Sequence, residues 1–183
     1  MNEKPYYGYK LASRRRRLLA YIINSIILSL VTTSIKQALG TYITLTDLLN
    51  LKTLKELEDL IESVSNPTNI LVNALVEILV YGLYGYLCYP YLRGTLGHRI
   101  LGMRVINMDR TTLNGNEGAI RELLKQGPFI LSDISTLLEL GVSSLINLAA
   151  LIYNIWLLWD RNKQNVYDKI AKTYVVMDED PLV

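Results

Sequence analysis

The sequence of 183 residues has one cysteine and one histidine, and only 20% of its side chains are charged. Cys88 stands alone, so an internal disulfide is excluded, and with it the class of small disulfide-stapled secreted domains. Because His98 is the single histidine, histidine-based metal sites and proton relays have little to draw on. Half of the residues are apolar, and the mean hydropathy of +0.20 argues against both a disordered chain and a soluble globular enzyme.

Charge is also scarce in three long stretches. Residues 18–35 and 140–159 contain none, and residues 68–92 contain one charge, Glu77. About 20 mostly apolar residues are enough to cross a bilayer, so each stretch predicts a membrane span. The first run is longer than the apolar core of a signal peptide, and no small-x-small cleavage site follows it. We therefore expect a retained membrane helix and not a removed signal.

The distribution of positive charge predicts the topology, because Lys and Arg concentrate on the cytoplasmic side of membrane proteins. Residues 1–17, residues 93–125 and the tail after 159 carry six, six and four of the 19 Lys and Arg residues. The loop 36–67 carries three, against five acidic residues. Both termini are therefore expected in the cytoplasm, which requires an even number of spans. Three spans remain the alternative.

These observations predict an all-α membrane protein, a small bundle of about four transmembrane helices. The third is expected to be short or re-entrant because Pro128 interrupts it. A basic cytoplasmic N-terminus, a single membrane domain and an acidic tail are expected at 1–17, 18–178 and 179–183, with spans near 18–35, 68–92, 119–138 and 140–159. The basic segments flank the spans, so their expected partner is a bilayer with anionic headgroups and not nucleic acid.

The loop 36–67 contains a candidate amphipathic helix. Thr53 and Glu56 have the spacing of a capping box at its start, and Asn66 with Pro67 ends it. The leucine pattern in between keeps one face apolar. We predict a helix lying on the membrane surface, with a gating lid as the alternative.

Glu77 is the most informative residue within the apolar runs. An ionised side chain at mid-bilayer costs ~2.5–3.5 kcal/mol on insertion scales, so it normally faces a partner or a cavity. Helical spacing places it on one face with a set of other polar side chains, Asn73, Tyr81, Tyr84, Cys88 and Tyr91. Asn24 and Asn147 lie near the centres of their own spans. The three residues Glu77, Asn24 and Asn147 therefore predict a polar midplane site for an ion or solute, whereas simple interhelical hydrogen bonding is the alternative.

Other chemistry is sparse. The segment from Gly94 to Gly97 lacks the Lys-Ser/Thr ending of a phosphate-binding loop, and no nucleophile with a base and no metal cluster is recognisable. We expect no enzyme, no cofactor and no metal. His98 lies among arginines, which favours a solvated or headgroup-contacting position.

The order of several short segments resembles the RDD family of bacterial integral membrane proteins. These segments are 17–24, 94–105, 119–124 and 167–176. The family is named for an arginine at the start of the first helix, an aspartate within that helix and an aspartate near the C-terminus. Arg17 matches the arginine and Asp168 the second aspartate. Asn24 stands where the family has its first aspartate, and an amide cannot release a proton.

The resemblance implies a multi-pass protein of the bacterial cytoplasmic (inner) membrane, with the glycine-rich and C-terminal segments on the cytoplasmic side. We predict that residues 104–106 and 174–177 pair there as a small two-stranded sheet. Asp168 is expected to cap a short helix or to bind the basic block through Arg17 or Arg99. If the family aspartate serves ion coupling, this chain has lost that function or moved it to Glu77.

Two functions follow from these observations. The first is a small proton-coupled cation or solute transporter, or a subunit of one, since transport is the activity suggested for the family. Four short spans are few for a transporter, so a homo-oligomer or a membrane protein partner is expected. The alternative is a non-enzymatic membrane scaffold or regulator, which the small size and the basic cytosolic surfaces favour.

Overall fold

A computed structural model describes residues 8–43, 45–138 and 140–178. Within these ranges the chain forms eight α-helices, one 3-10 helix (Trp156–Leu158) and two strands. The helices are α1 (Arg14–Ala38), α2 (Leu45–Leu49), α3 (Leu54–Ser65), α4 (Pro67–Leu92), α5 (Leu96–Ile100), α6 (Gly115–Leu137), α7 (Ser143–Ile155) and α8 (Val166–Ile170). The acidic tail 179–183 and the first seven residues of the basic N-terminus lie outside the described residues.

Helix α1 begins four residues before the apolar run and ends three residues after it. Ser13 caps it, because its hydroxyl accepts a hydrogen bond from the Arg16 N–H at 3.3 Å. The four arginines predicted as part of a cytoplasmic segment therefore belong to the first turn of the helix. One face of α1 is buried, and the opposite face exposes large apolar side chains, among them Leu19, Ile26 and Leu30.

Helix α4 agrees with the predicted span 68–92. Asn66 caps it by accepting from the Thr68 N–H, Pro67 occupies the first turn, and Arg93 ends it in the left-handed conformation. The polar side chains Asn73, Glu77, Tyr81, Tyr84 and Cys88 are half-buried on one face, and a leucine face is exposed. Tyr91 departs from that polar face and is 81% exposed.

Two helical stretches are long and apolar enough to cross a membrane in the described residues. They are α1, with a mean hydropathy of 2.0 over its most apolar window, and the stretch Pro67–Ile100, which includes α4, with 1.7. Only 22% and 17% of these windows are buried. A core helix of a soluble protein is mostly buried, so these exposed apolar surfaces favour lipid as their surroundings.

Helix α6 runs without a break through Pro128, contrary to the predicted short or re-entrant segment. Proline has no N–H to donate to the carbonyl four residues earlier, which is that of Leu124. The Tyr153 hydroxyl from α7 donates to this carbonyl at 3.0 Å. A neighbouring helix thus satisfies the group that Pro128 leaves unpaired, and the helix continues.

Helix α7 is shorter than the predicted span 140–159. Its 13 residues extend ~20 Å, which is less than the hydrocarbon core of a bilayer. It forms an antiparallel hairpin with α6, since the Thr136 hydroxyl donates to the Ser143 hydroxyl at 3.1 Å. Helices α1, α4, α6 and α7 alternate in direction, but α6 and α7 do not meet the length and hydropathy of a span, so four spans are not established by the fold.

The strands β1 (Met103–Asn107) and β2 (Thr173–Met177) pair antiparallel, with Met103 opposite Met177 and Asn107 opposite Thr173. This confirms the predicted sheet. A small apolar core joins it to the helices and includes Ala12, Ala20, Tyr89, Val105 and Val175. The sheet lies at the end of the bundle where α1 begins and α4 ends. Helix α3 also agrees with prediction, and Thr53 caps it by accepting from the Glu56 N–H at 3.2 Å.

Candidate functional site: two buried polar clusters

The first cluster lies beside the sheet, and we call it the sheet-side cluster. It consists of Arg17 from α1, Tyr89 from α4, Arg121, Glu122 and Lys125 from α6, and Asp168 from α8. All six side chains are buried, and Asp168 is 0% exposed. Four elements that are distant in the sequence therefore meet at one point.

Asp168 is the centre of the sheet-side cluster. Arg17 binds its Oδ2 and Arg121 binds its Oδ1 as ion pairs. The Asn165 N–H donates to Oδ2 at 2.9 Å, as part of the capping box that begins α8. The sequence prediction for Asp168 is confirmed in both forms, because it caps a short helix and also binds Arg17.

Burial alone would raise the pKa of the Asp168 carboxyl. The guanidinium groups of Arg17 and Arg121, together with the Asn165 N–H, more than offset this effect and hold its pKa below the ordinary value. Asp168 is therefore ionised at neutral pH. A buried charge of this kind is tolerated only when it is paired and hydrogen-bonded, as it is here.

Glu122 holds the other half of the sheet-side cluster. Its Oε1 accepts from the Tyr89 hydroxyl at 2.8 Å, and its Oε2 accepts from the Lys125 ammonium at 3.3 Å. Arg121 links the two halves, because its Nη1 donates to the Tyr89 hydroxyl. Sequence reasoning missed Arg121, Glu122 and Lys125. The sequence contains a signal for them, because three charged residues lie within two turns of a helix that continues as an apolar segment.

Asn24 lies next to this cluster but binds neutral partners. Its Oδ1 accepts from the Tyr84 hydroxyl and from the Gly97 N–H, both at 2.9 Å, and its Nδ2 donates to the Thr95 hydroxyl at 2.6 Å. The amide thus fastens α5 to α1 and α4. Asn24 therefore serves interhelical hydrogen bonding, the alternative to a midplane ion site.

His98 is buried, so the prediction of a solvated or headgroup-contacting histidine is wrong. The reason is the close packing of α5 on α1. A Cβ on Gly97 would lie 2.5 Å from the Ala20 carbonyl oxygen, so only glycine permits this approach. The His98 ring then lies inside, with Nδ1 at 2.6 Å from the Thr95 hydroxyl.

A cavity lies between α1, α5, α6 and α8. Its lining includes Arg17, Asn24, His98, Glu122 and Lys125. The space open to the centre of a water molecule is about 10 Å³, which is roughly what one water requires. Charged side chains contribute to its lining beside neutral polar and aromatic ones.

The second cluster lies at the other end of the bundle, and we call it the loop-side pair. The Lys36 ammonium binds Glu77 Oε1 at 2.5 Å, joining the end of α1 to α4. Their side chains are only 12% and 21% exposed. Nearby, the Thr41 hydroxyl lies 2.7 Å from the side-chain oxygen of Asn73. Asp133 from α6 lies within electrostatic range of both Glu77 and Lys36.

The structure does not bring Glu77, Asn24 and Asn147 together. Asn24 binds Tyr84, which is seven residues and ~10 Å from Glu77 along α4. Asn147 is exposed on α7. The physical reason is partner chemistry: the carboxylate pairs with the nearest cation, Lys36, whereas the amide pairs with hydroxyl and backbone groups of the sheet-side end. Lys36 was missed because it directly follows the apolar run and was assigned to the loop.

The family model described as the RDD family matches residues 11–172, which is most of the chain. The chain belongs to the RDD family. In this RDD protein, the matched positions Arg17 and Asp168 form one buried ion pair, and Asn24 lies two turns further along α1. Family membership indicates a membrane protein, in agreement with the two exposed apolar helices.

Neither a curated protein nor a solved structure matches the chain.

Proposed function

We propose that this RDD protein is a multi-pass protein of the bacterial cytoplasmic membrane that exchanges a small cation for protons at the loop-side pair. The observation that carries the proposal is the Lys36–Glu77 ion pair, half-buried between two helices that are long and apolar enough to cross a membrane. A charged pair in that setting is costly, and such groups mark ion or proton pathways in membrane proteins.

The charges around Glu77 suit an exchange of this kind. Two carboxylates, Glu77 and Asp133, act on one ammonium, Lys36. When all three are ionised, the group carries one negative charge in excess. One proton or one monovalent cation neutralises that charge, whereas both together would leave the group with a net positive charge. Competition between the two for one site is the basis of antiport.

We propose four membrane passes with both termini in the cytoplasm. The Arg14 guanidinium donates to the Leu157 and Asp160 carbonyls at 3.1 and 3.0 Å, so the start of α1 and the end of α7 lie at the same end of the bundle. An even number of passes follows if α6 and α7 cross. Because α7 is short, we propose that further copies of the chain, or a membrane protein partner, surround the hairpin of α6 and α7.

The test is a flux measurement with purified protein in liposomes that contain a pH-sensitive dye. Addition of Na⁺, K⁺ or Li⁺ outside should release protons from the lumen in the wild type. Glu77→Gln should abolish this signal, because it removes the titratable group while keeping the shape of the side chain. Glu58→Gln is the matched control, since this substitution makes the same chemical change at an exposed position of α3.

A cation-driven signal that survives in Glu77→Gln would move the site elsewhere and overturn the assignment. Absence of any signal in the wild type, with the protein correctly inserted, would overturn cation–proton exchange. The scaffold or regulatory function would then be the better account, and a stable partner recovered from membranes would support it.

A further inference from the structure

The sheet-side cluster contains more positive than negative charge. Its three cations are Arg17, Arg121 and Lys125, and its two anions are Glu122 and Asp168. With His98 neutral, the cluster carries one positive charge in excess, and a protonated His98 would add a second. The excess therefore does not depend on the state of the histidine.

All four oxygens of the two carboxylates already have a partner within the cluster. Asp168 uses Oδ2 for Arg17 and Oδ1 for Arg121, and Glu122 uses Oε1 for Tyr89 and Oε2 for Lys125. The Lys125 ammonium has three N–H donors, and its contacts in the described residues are one hydrogen bond of 3.3 Å and the face of the Tyr21 ring at 5.2 Å. Lys125 is one of the residues that line the cavity.

A buried positive charge without a counter-charge is strongly unfavourable. A counter-charge held in the cavity would lie beside all three cations, since Arg17, Arg121 and Lys125 line it. Its volume of about 10 Å³, measured as the space open to a water centre, suits a single small particle.

We propose that this cavity binds one monatomic anion, with chloride as the natural example, held between the Lys125 ammonium and the Arg17 guanidinium. The anion neutralises the sheet-side cluster and so stabilises the junction of α1, α6 and α8. Asn24 explains why an external anion is needed, because a carboxylate at that position on the cavity wall would supply the missing charge from the chain itself. The site is independent of the proposed exchange at Glu77.

The experiment measures thermal unfolding of the full chain in detergent through the fluorescence of Trp156 and Trp159. Sodium chloride is compared with sodium gluconate at equal ionic strength, since gluconate is too large for the cavity. Chloride should raise the Tm of the wild type by roughly 3 °C, and the rise should saturate with concentration. Bromide should act in the same way.

Two variants remove the excess charge in different ways. Asn24→Asp should lose the difference between the two salts, and its Tm in gluconate should reach that of the wild type in chloride. Lys125→Met should also lose the difference. Lys55→Met removes a lysine from the exposed face of α3 and is the matched control. It should keep the Tm difference between chloride and gluconate.

Equal Tm values for the wild type in chloride and gluconate would show that the cavity holds only water, and would overturn the proposal. An undiminished salt difference in Asn24→Asp would also overturn it. If Lys125→Met fails to fold, Asn24→Asp still decides the matter, because a carboxylate accepts the same hydrogen bonds from Tyr84 and Gly97 and loses only the Nδ2 donor to Thr95.

Discussion

Arg17 and Asp168 are 151 positions apart in the sequence and form a buried ion pair. The pair joins the first turn of α1 to the short helix α8, and Arg121 of α6 binds the same carboxylate. Two of the residues on which the resemblance to the RDD family rests thus close one structural clamp at the sheet-side end. In this chain they hold the bundle and the sheet together, and they lie far from Glu77.

Replacement of Asp168 by Asn should strongly destabilise the folded protein. It leaves Arg17 and Arg121 buried with no carboxylate between them, and removal of one partner from a buried pair costs ~3–5 kcal/mol. We expect the Tm of the purified protein to fall by roughly 10 °C, or the protein to fail to accumulate in the membrane. Asp59→Asn, on the exposed face of α3, is the control and should unfold as the wild type does. Similar Tm values for Asp168→Asn and Asp59→Asn would contradict the clamp.

The same carboxylate predicts a pH dependence. The pKa of Asp168 is lower in the folded protein than in the unfolded chain, where it is ~3.9. A group of this kind contributes stability that is complete above its unfolded pKa and is lost as the pH falls through its folded pKa. The unfolding free energy should therefore decline at pH values below about 4.

The measurement for this dependence is the Tm of the wild type and of Asp168→Asn over a series of pH values. The gap between the two proteins should be constant near neutrality and should narrow in acid, because protonation of Asp168 makes the wild type resemble the variant. A gap that stays constant throughout the acid range would show that Asp168 is not the titrating group.

The contact between α4 and α6 should not tolerate a methyl group. A Cβ on Gly118 would lie 2.6 Å from the Gly85 carbonyl oxygen and 2.7 Å from Cβ of Tyr89. Gly118→Ala should therefore push the helices apart and destabilise the protein by ~1–3 kcal/mol. Gly82 lies on the same interface with its nearest neighbour, a methyl of Leu123, at 3.8 Å. Gly82→Ala should be tolerated, and equal losses of Tm in both variants would contradict the packing.

The four-pass topology can be tested by cysteine labelling in a Cys88→Ala background. Glu58→Cys, Asp109→Cys and Arg161→Cys each change an exposed residue of the described chain. In intact spheroplasts a membrane-impermeant maleimide should label only Glu58→Cys, and the other two should react after permeabilisation. Labelling of Arg161→Cys from outside would indicate three passes.

Local features of the sequence predicted the elements well. The absence of charge marked α1 and α4, because hydropathy is a property of each stretch by itself. The cap at Thr53, the end of α3 at Asn66 and Pro67, and the two strands were also recognisable, since each depends on residues a few positions apart. The link between Asp168 and Arg17 was recognised only through the resemblance to the RDD family.

The sequence by itself therefore determined the class of the protein, a membrane helix bundle with a small sheet, and the residues too costly to leave unpaired. Only the tertiary structure decided their partners. Glu77 pairs with Lys36, and Asn24 binds Thr95, Tyr84 and Gly97. Tyr153 donates to the carbonyl that Pro128 leaves unpaired. The reason is physical. Each of these contacts joins helices that are distant in the chain, so helix packing selects the partner, whereas the cost of burying the group is already fixed by its own side chain.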